Sequence, residues 1–172
     1  MWWPKAGTGR IVLIAGAVLA LAACGFRPLY ADGGQDTAAS AELARIEVAV
    51  IPDRSGQILR ADLIDGLSPR GRPARPLYRL EVTLRERQEE LGIDKTDTAV
   101  RANLFITANF SLLPADGGEP LLDRRVGLIT SYNILLDEFA TLTAENDARE
   151  RALRQIGSDI RTQLALYFSR AG

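Results

Sequence analysis

The chain has 172 residues, with 21 basic and 22 acidic side chains, one cysteine and no histidine. This balanced charge argues against a general nucleic-acid binder, which needs a basic surface. The absence of histidine excludes serine–histidine–aspartate triads and cysteine–histidine nucleophiles, and a single cysteine excludes cysteine-rich metal sites. We therefore expect no metal, no other cofactor and no enzymatic activity.

The first 23 residues have the pattern of a secretory signal peptide: a short basic region, the apolar run 11–21 and two alanines. The run is shorter than the roughly 20 apolar residues that a membrane span needs. Leu21–Cys24 (LAAC) resembles the lipobox of bacterial lipoproteins, in which the cysteine receives a diacylglyceryl group and, after cleavage, an acyl chain on its amine. We therefore predict lipidation at Cys24. The alternative is a chance cysteine at the end of an uncleaved hydrophobic helix.

Lipidation also explains why an exported chain carries one unpaired cysteine. At about 0.8 kcal/mol per buried methylene, one acyl chain holds a protein marginally and two or more hold it stably. Residue 25 is glycine. In the lipoprotein families that this segment resembles, aspartate after the lipid cysteine favours retention in the inner membrane. Gly25 therefore indicates the outer membrane, with the protein facing the periplasm.

Residues 31–44 are mostly small or polar, so we interpret 24–44 as the lipidated N-terminus and a tether. The remaining residues, 45–172, have a length that suits a single domain. No internal repeat or second domain is recognisable in them.

This domain begins with a strand and a helix. Apolar residues alternate over Ile46–Ile51, which predicts a first strand. Asp53 and Ser55 are candidate N-caps of a helix that ends before Pro69. Residues 70–76 form a predicted loop, because the prolines there do not fit inside regular structure.

Three strands are predicted next. Apolar and polar residues alternate over 78–85 and over 100–112, where Phe105 is the one apolar residue on the polar side. Each of these strands should have one buried face. A turn at 114–118 leads into a third strand, Leu121–Tyr132, whose alternation is weaker.

The last element is a helix over Ala140–Phe168, where apolar residues recur at helical spacing. Gly157 within it costs about 1 kcal/mol relative to alanine, and close packing on the sheet is one possible reason for it. The order β-α-β-β-β-α predicts an α+β domain with two helices packed on one face of a four-stranded, mainly antiparallel sheet.

The segment Cys24–Tyr30 (CGFRPLY) resembles the mature N-terminus of the LptE family of lipopolysaccharide-assembly lipoproteins, and Ser131–Asn133 before the last helix extends the resemblance. The resemblance implies a lipoprotein inside the lumen of an outer-membrane β-barrel lipopolysaccharide translocon of the LptD type. It would help that barrel to fold and assist insertion of lipopolysaccharide into the outer leaflet. It implies a plug and a binding protein.

The residues themselves are compatible with such a role. A polar sheet face suits the polar lumen of a barrel. Charge-assisted arginine–phosphate bonds are about twice as strong as neutral ones, so basic residues around the hairpin loop 88–98 are natural contacts for lipopolysaccharide phosphates. The candidates are Arg85, Arg87, Lys95 and Arg101. A second set lies on the last helix, at Arg149, Arg151 and Arg154.

Two alternatives stay open. Asp94 and Asp97 would be a possible catalytic carboxylate pair, although such spacing is commonplace in loops. A scaffold or accessory lipoprotein of another envelope machine, such as β-barrel assembly or phospholipid transport, would show the same lipobox and fold without binding lipopolysaccharide. The identity of the co-purifying partner discriminates between these functions.

Overall fold

The computed structural model describes residues 34–69, 71–93 and 99–171. Its elements are α1 (Gly34–Leu43), β1 (Ile46–Val48), α2 (Asp53–Leu67), β2 (Tyr78–Ile93), β3 (Ala99–Pro114), β4 (Leu122–Asn133) and α3 (Glu138–Ala171). The predicted α+β class is confirmed. The described part of the chain contains three helices, one more than the two expected.

The four strands form one sheet in the order β1-β2-β3-β4. The pairs β2–β3 and β3–β4 are antiparallel, and β1 lies parallel to β2 because α2 connects them. β1 is shorter than the predicted Ile46–Ile51. Beyond it, the side chain of Arg60 donates to the carbonyl oxygens of Val48 and Ala49, at 3.2 and 3.0 Å. This part of the chain is therefore held partly by α2.

The core lies between α2, α3 and one face of the sheet. Along β3 every even-numbered residue from Ala102 to Leu112 is buried, as the alternation predicts. These side chains meet the apolar sides of the two helices, which are formed by Leu59, Leu63, Leu67, Leu153, Ile156, Ile160 and Leu164. Full burial of a leucine or isoleucine contributes about 1.5–3 kcal/mol, so this layer dominates the stability of the fold.

The β2–β3 hairpin is longer than predicted. Residues 88–93, assigned from sequence to a loop, continue β2 and pair with β3 as far as Ile93 opposite Ala99. The described side chains of β2 from Arg85 onward are all exposed. Because neither face of β2 is buried here, apolar and polar residues need not alternate along it. Only the backbone pairing with β3 identifies these residues as a strand.

Part of the segment interpreted as a tether is helical and packed. In α1, Ala39 and Leu43 lie against the core, and Glu42 accepts a hydrogen bond of 3.1 Å from the Tyr78 hydroxyl. Burial, reinforced by this carboxylate, raises the pKa of Tyr78. The alanines of this segment favour a helix. The sequence of this segment nevertheless resembles a linker, because Leu43 is its one large apolar residue and no periodic apolar pattern marks a buried side.

The first turn of α2 also differs from its prediction. Neither Asp53 nor Ser55 is the N-cap; that position is Pro52, and it makes no side-chain capping hydrogen bond. Asp53 has a φ of 64°, in the left-handed region that aspartate tolerates better than most residues. The chain therefore turns sharply into the helix at this residue.

Gly157 packs against a helix rather than against the sheet. A Cβ added at this position would collide with the carboxylate of Asp62 on α2 and touch Leu59. That carboxylate is not free to move, because Arg161 holds it in a 2.6 Å ion pair. The glycine therefore allows the close approach of α2 and α3, and the Asp62–Arg161 pair fixes it.

We predict that Gly157→Ala destabilises the protein by about 1–3 kcal/mol through this overpacking, although alanine is the better helix former by about 1 kcal/mol. In an Asp62→Ala background the same substitution should become neutral or stabilising, because the colliding carboxylate is gone. Chemical denaturation of the four proteins measures the difference. An equal effect of Gly157→Ala in both backgrounds would contradict this account of the helix crossing.

Candidate functional site

The side of the sheet that faces away from the helices is called the outer face here. It is formed by the odd-numbered residues of 79–91 on β2, 101–113 on β3 and 123–133 on β4. On β2 and β4 these residues are exposed, and on β3 most are half-buried between their neighbours. No described helix covers this side, so it is open to a binding partner.

Polar side chains on the outer face are joined across the strands. Arg125 Nε donates a 2.7 Å hydrogen bond to Asn109 Oδ1, and Ser131 Oγ donates one of 2.8 Å to Asn103 Oδ1. Cross-strand pairs of this kind each stabilise a sheet by a few tenths of a kcal/mol to about 1 kcal/mol. They also give the face a fixed set of polar groups.

Three of the four predicted lipopolysaccharide contacts lie on the outer face. Arg85 is opposite Thr107, and Arg87 is opposite Phe105. Arg101 stands between residues of β2 and β4 near the far end of the hairpin. The fourth, Lys95, lies outside the described residues, as do Asp94, Asp97 and Cys24.

These three arginines differ in their partners. The guanidinium carbon of Arg87 lies 4.1 Å from the centre of the Phe105 ring, and its Nη1 is 3.0 Å from Glu89. Phe105, the apolar exception in the β3 alternation, is thus a cation–π platform. Arg85 and Arg101 make no hydrogen bond or ion pair with other described residues. Their guanidinium groups are therefore available to a ligand.

The structure brings these arginines to one face but not to one pocket. The register places Arg85 and Arg101 six residues apart along β3, roughly 20 Å at the usual rise of a strand. Arg87 and Arg101 are four residues apart, roughly 13 Å. They form a line along the hairpin. A single phosphate cannot reach Arg85 and Arg101 together, whereas a ligand with several separated phosphates can.

The helix arginines are largely engaged in structure. Arg149 Nε lies 3.1 Å from Glu86 on β2, and Nη2 pairs with Glu145 on α3. Burial alone would lower the pKa of Arg149, but its hydrogen bonds to Glu145 and Glu86 outweigh that effect and the pKa is raised. Arg154 pairs with Glu150 at 3.5 Å. These contacts make Arg149 and Arg154 weaker candidates than the outer-face arginines, whereas Arg151 is exposed and makes no ion pair with another described residue.

Arg149 also borders a cleft of about 400 Å³ between the first turn of α2 and α3. Its charged lining is mixed, with Asp53, Arg54, Glu86, Arg149 and Glu150. Within the described ranges, no three acidic, histidine or cysteine residues are grouped so as to hold a metal ion. Nor is any helix in that part of the chain long and apolar enough to cross a membrane.

Sequence reasoning missed one surface. Between β4 and the first turns of α3, the side chains of Leu135, Leu136, Phe139 and Leu142 are exposed. Leu135 and Leu136 lie between two periodic elements, so neither alternation nor helical spacing placed them. The available signal was the pair of adjacent leucines outside both periodic elements, followed directly by Asp137 and Glu138.

Fold and site together define a small α+β domain that offers an open sheet face and a long hairpin for binding. The model of the LptE lipopolysaccharide-assembly family matches residues 43–164. The chain belongs to this family.

Solved structures share the fold. A lipoprotein from Caulobacter crescentus is 23% identical with a TM-score of 0.65, and the match covers 78% of this chain and 97% of that one. A minor lipoprotein from Acinetobacter baumannii is 17% identical with a TM-score of 0.56, over 70% and 91% of the two chains. The rare lipoprotein B from Shewanella oneidensis is 11% identical, with a TM-score of 0.54 over 70% and 92%. No sequence of a curated protein matches the chain.

Proposed function

We propose that this protein is an outer-membrane lipoprotein that plugs and helps to assemble the β-barrel lipopolysaccharide translocon of the LptD type. In this role it assists the insertion of lipopolysaccharide into the outer leaflet. The observation that carries the proposal is the line of arginines along the hairpin on the outer face. It occurs in a chain that belongs to the lipopolysaccharide-assembly family.

The shape of the hairpin suits a plug. β2 and β3 have 16 residues each, which corresponds to roughly 50 Å of strand. The hydrocarbon core of a bilayer is about 30 Å thick, so the hairpin is long enough to follow the lumen of a barrel across it. The lumen of such a barrel is polar. Asparagine, serine and threonine on the outer face can meet it through direct and water-mediated hydrogen bonds.

The arginines suit a ligand with several phosphates. Arg85 and Arg101 have no partner among the described residues, and bidentate bonds from arginine to phosphate are strong and directional. The distance between them matches an extended, multiply phosphorylated molecule rather than a free phosphate ion. Lipopolysaccharide, which carries phosphates on lipid A and the inner core, has this chemistry.

The lipid anchor at Cys24 completes the proposal. Three acyl chains at this residue would hold the protein at the membrane, and glycine at the next position favours the outer membrane. The 24–33 segment would then connect the anchor to the folded body, which begins at α1.

We predict that affinity purification of the full-length lipidated protein recovers a large outer-membrane β-barrel with a periplasmic domain. The physical reason is the match between the polar outer face and a polar lumen. Mass spectrometry of the untagged protein in the complex makes the identification. Recovery of a β-barrel assembly machine or a phospholipid transporter in its place would favour the accessory-lipoprotein function.

We predict that Arg85→Glu/Arg101→Glu lowers the affinity for lipopolysaccharide at least tenfold, because each lost charge-assisted bond is worth about 1.5–3 kcal/mol. Folding should change by no more than about 0.5 kcal/mol per site, since both side chains are exposed. The matched control is Arg72→Glu/Arg75→Glu, two exposed arginines in the loop before β2. Binding is titrated at low and high salt, with circular dichroism on the same samples. Unchanged affinity in the folded variant would exclude the outer face as the phosphate site.

We predict that Cys24→Ala abolishes lipid attachment, because the thiol is the nucleophile of the first acylation step. The variant should keep its signal peptide or be cleaved aberrantly, and it should be released from membranes more readily. Mass spectrometry of the mature N-terminus checks this result. An unmodified Cys24 in the wild-type protein would contradict the lipoprotein assignment.

A further inference from the structure

The connection between β4 and α3, together with the first turns of α3, presents apolar side chains to solvent. Leu136 is fully exposed, Phe139 is 78% exposed, and Leu135 and Leu142 are each about half exposed. These four residues are called the apolar loop here. Single exposed leucines are ordinary, but four large apolar side chains within eight positions form a patch of the kind that marks an interaction site.

The backbone of the apolar loop is held in one shape. Asp137 caps α3, since its carboxylate accepts hydrogen bonds from the N–H groups of Phe139 and Ala140, at 2.9 and 3.3 Å. Thr141 Oγ1 accepts a 2.9 Å hydrogen bond from the N–H of Leu135 and donates a 3.2 Å hydrogen bond to the carbonyl oxygen of Leu135. These bonds hold the loop in place before any partner arrives, which reduces the entropy lost on binding.

A small second core supports the loop from below. Ile134 and Ala144 pack against the buried side chains of Tyr132, Ala102 and Ala148. Burial, together with the nearby Glu145 carboxylate, raises the pKa of Tyr132, whose hydroxyl donates a 3.3 Å hydrogen bond to that carboxylate. The chain therefore turns one apolar side chain inward at Ile134 and the next two outward.

Charge identifies the kind of partner. From 134 to 148 the sequence has four acidic residues, Asp137, Glu138, Glu145 and Asp147, and no lysine or arginine. Only Glu145 is in an ion pair with another described residue, Arg149. An acidic surface is repelled by the phosphates of lipids. An apolar patch with this border fits a protein pocket that is itself bordered by basic side chains.

The apolar loop lies beside the hairpin. Asn133, the last residue of β4, pairs with Arg101 near the start of β3. At the other end of α3, roughly 50 Å away for a helix of 34 residues, Phe168 packs on Tyr78. A partner that encloses the long hairpin therefore has the apolar loop within reach, whereas it need not touch the far end of α3.

We infer that the apolar loop docks into an apolar pocket, bordered by arginine or lysine, in the wall of the barrel protein. The inference rests on the proposed function for the identity of that partner. It adds a contact surface distinct from the outer face, with apolar rather than polar chemistry.

The test uses the full-length lipidated protein, co-expressed with the barrel, and measures how much barrel co-purifies. We expect Leu136→Ser/Phe139→Ser to reduce recovery of the barrel at least tenfold while the melting temperature stays unchanged, because both side chains are already exposed. The matched control is Val50→Ser/Leu121→Ser, two exposed apolar residues away from the loop. It should leave recovery unchanged. Glu138→Lys/Asp147→Lys should also reduce recovery, because it reverses the charge of the border.

A photo-crosslinking residue at Leu136 identifies what the loop touches. A crosslink to the barrel is the expected result. A crosslink between two copies of this chain would overturn the inference in favour of self-association. Leu136- and Phe139-dependent binding to phosphatidylethanolamine–phosphatidylglycerol vesicles would overturn it in favour of a lipid surface. If the wild-type protein recovers the barrel and the serine variant recovers as much, only this inference fails. If the wild-type protein recovers no barrel, the proposed function fails as well.

Discussion

The strict alternation along β3 is the constraint on which the rest of the structure depends. This strand pairs with β2 over its whole length and with β4 over most of it, so its side chains decide which surface each sheet face presents. Even-numbered residues from Ala102 to Leu112 are buried under the helices. The odd-numbered residues must then form the outer face, because a shift of one residue would exchange the two sets. One strand thus establishes the core and the outer face together.

Ion pairs from α3 divide the arginines into two groups. Arg161 joins α3 to α2 through Asp62, and Arg149 joins α3 to β2 through Glu86. Both are partly buried, and removing either would leave a carboxylate without its partner. On the outer face, Arg85 and Arg101 form no ion pair with other described residues. A high arginine content alone therefore says little about ligand binding, since the arginines that bridge elements and the arginines that stay open to solvent are chemically identical.

The alternation of β3 was predictable from sequence because every second side chain enters the core. The same parity placed Arg85 and Arg101 correctly on one face, and Arg87, which was expected beside the hairpin loop, lies on that face as well. Prediction failed for 88–93, because strand residues exposed on both faces carry no pattern. It also failed for α1, whose small residues resemble a linker, and for the contact of Gly157, because a helix crossing depends on residues nearly a hundred positions apart. The contact of Arg87 with Phe105 was not predicted either, because it depends on the register between β2 and β3.

The two proposed contacts lie on different sides of the sheet near the same end of the molecule. Arg101 faces outward, and its neighbour Asn133 leads directly into the apolar loop on the side of the helices. No ion pair among the described residues joins the line of arginines to the acidic border of the loop. A phosphorylated ligand can therefore occupy the outer face while a protein wall holds the apolar loop. Under the proposed function, the apolar loop would therefore keep the protein docked in the barrel while a ligand occupies the line of arginines, because the two contacts use different sides of the sheet.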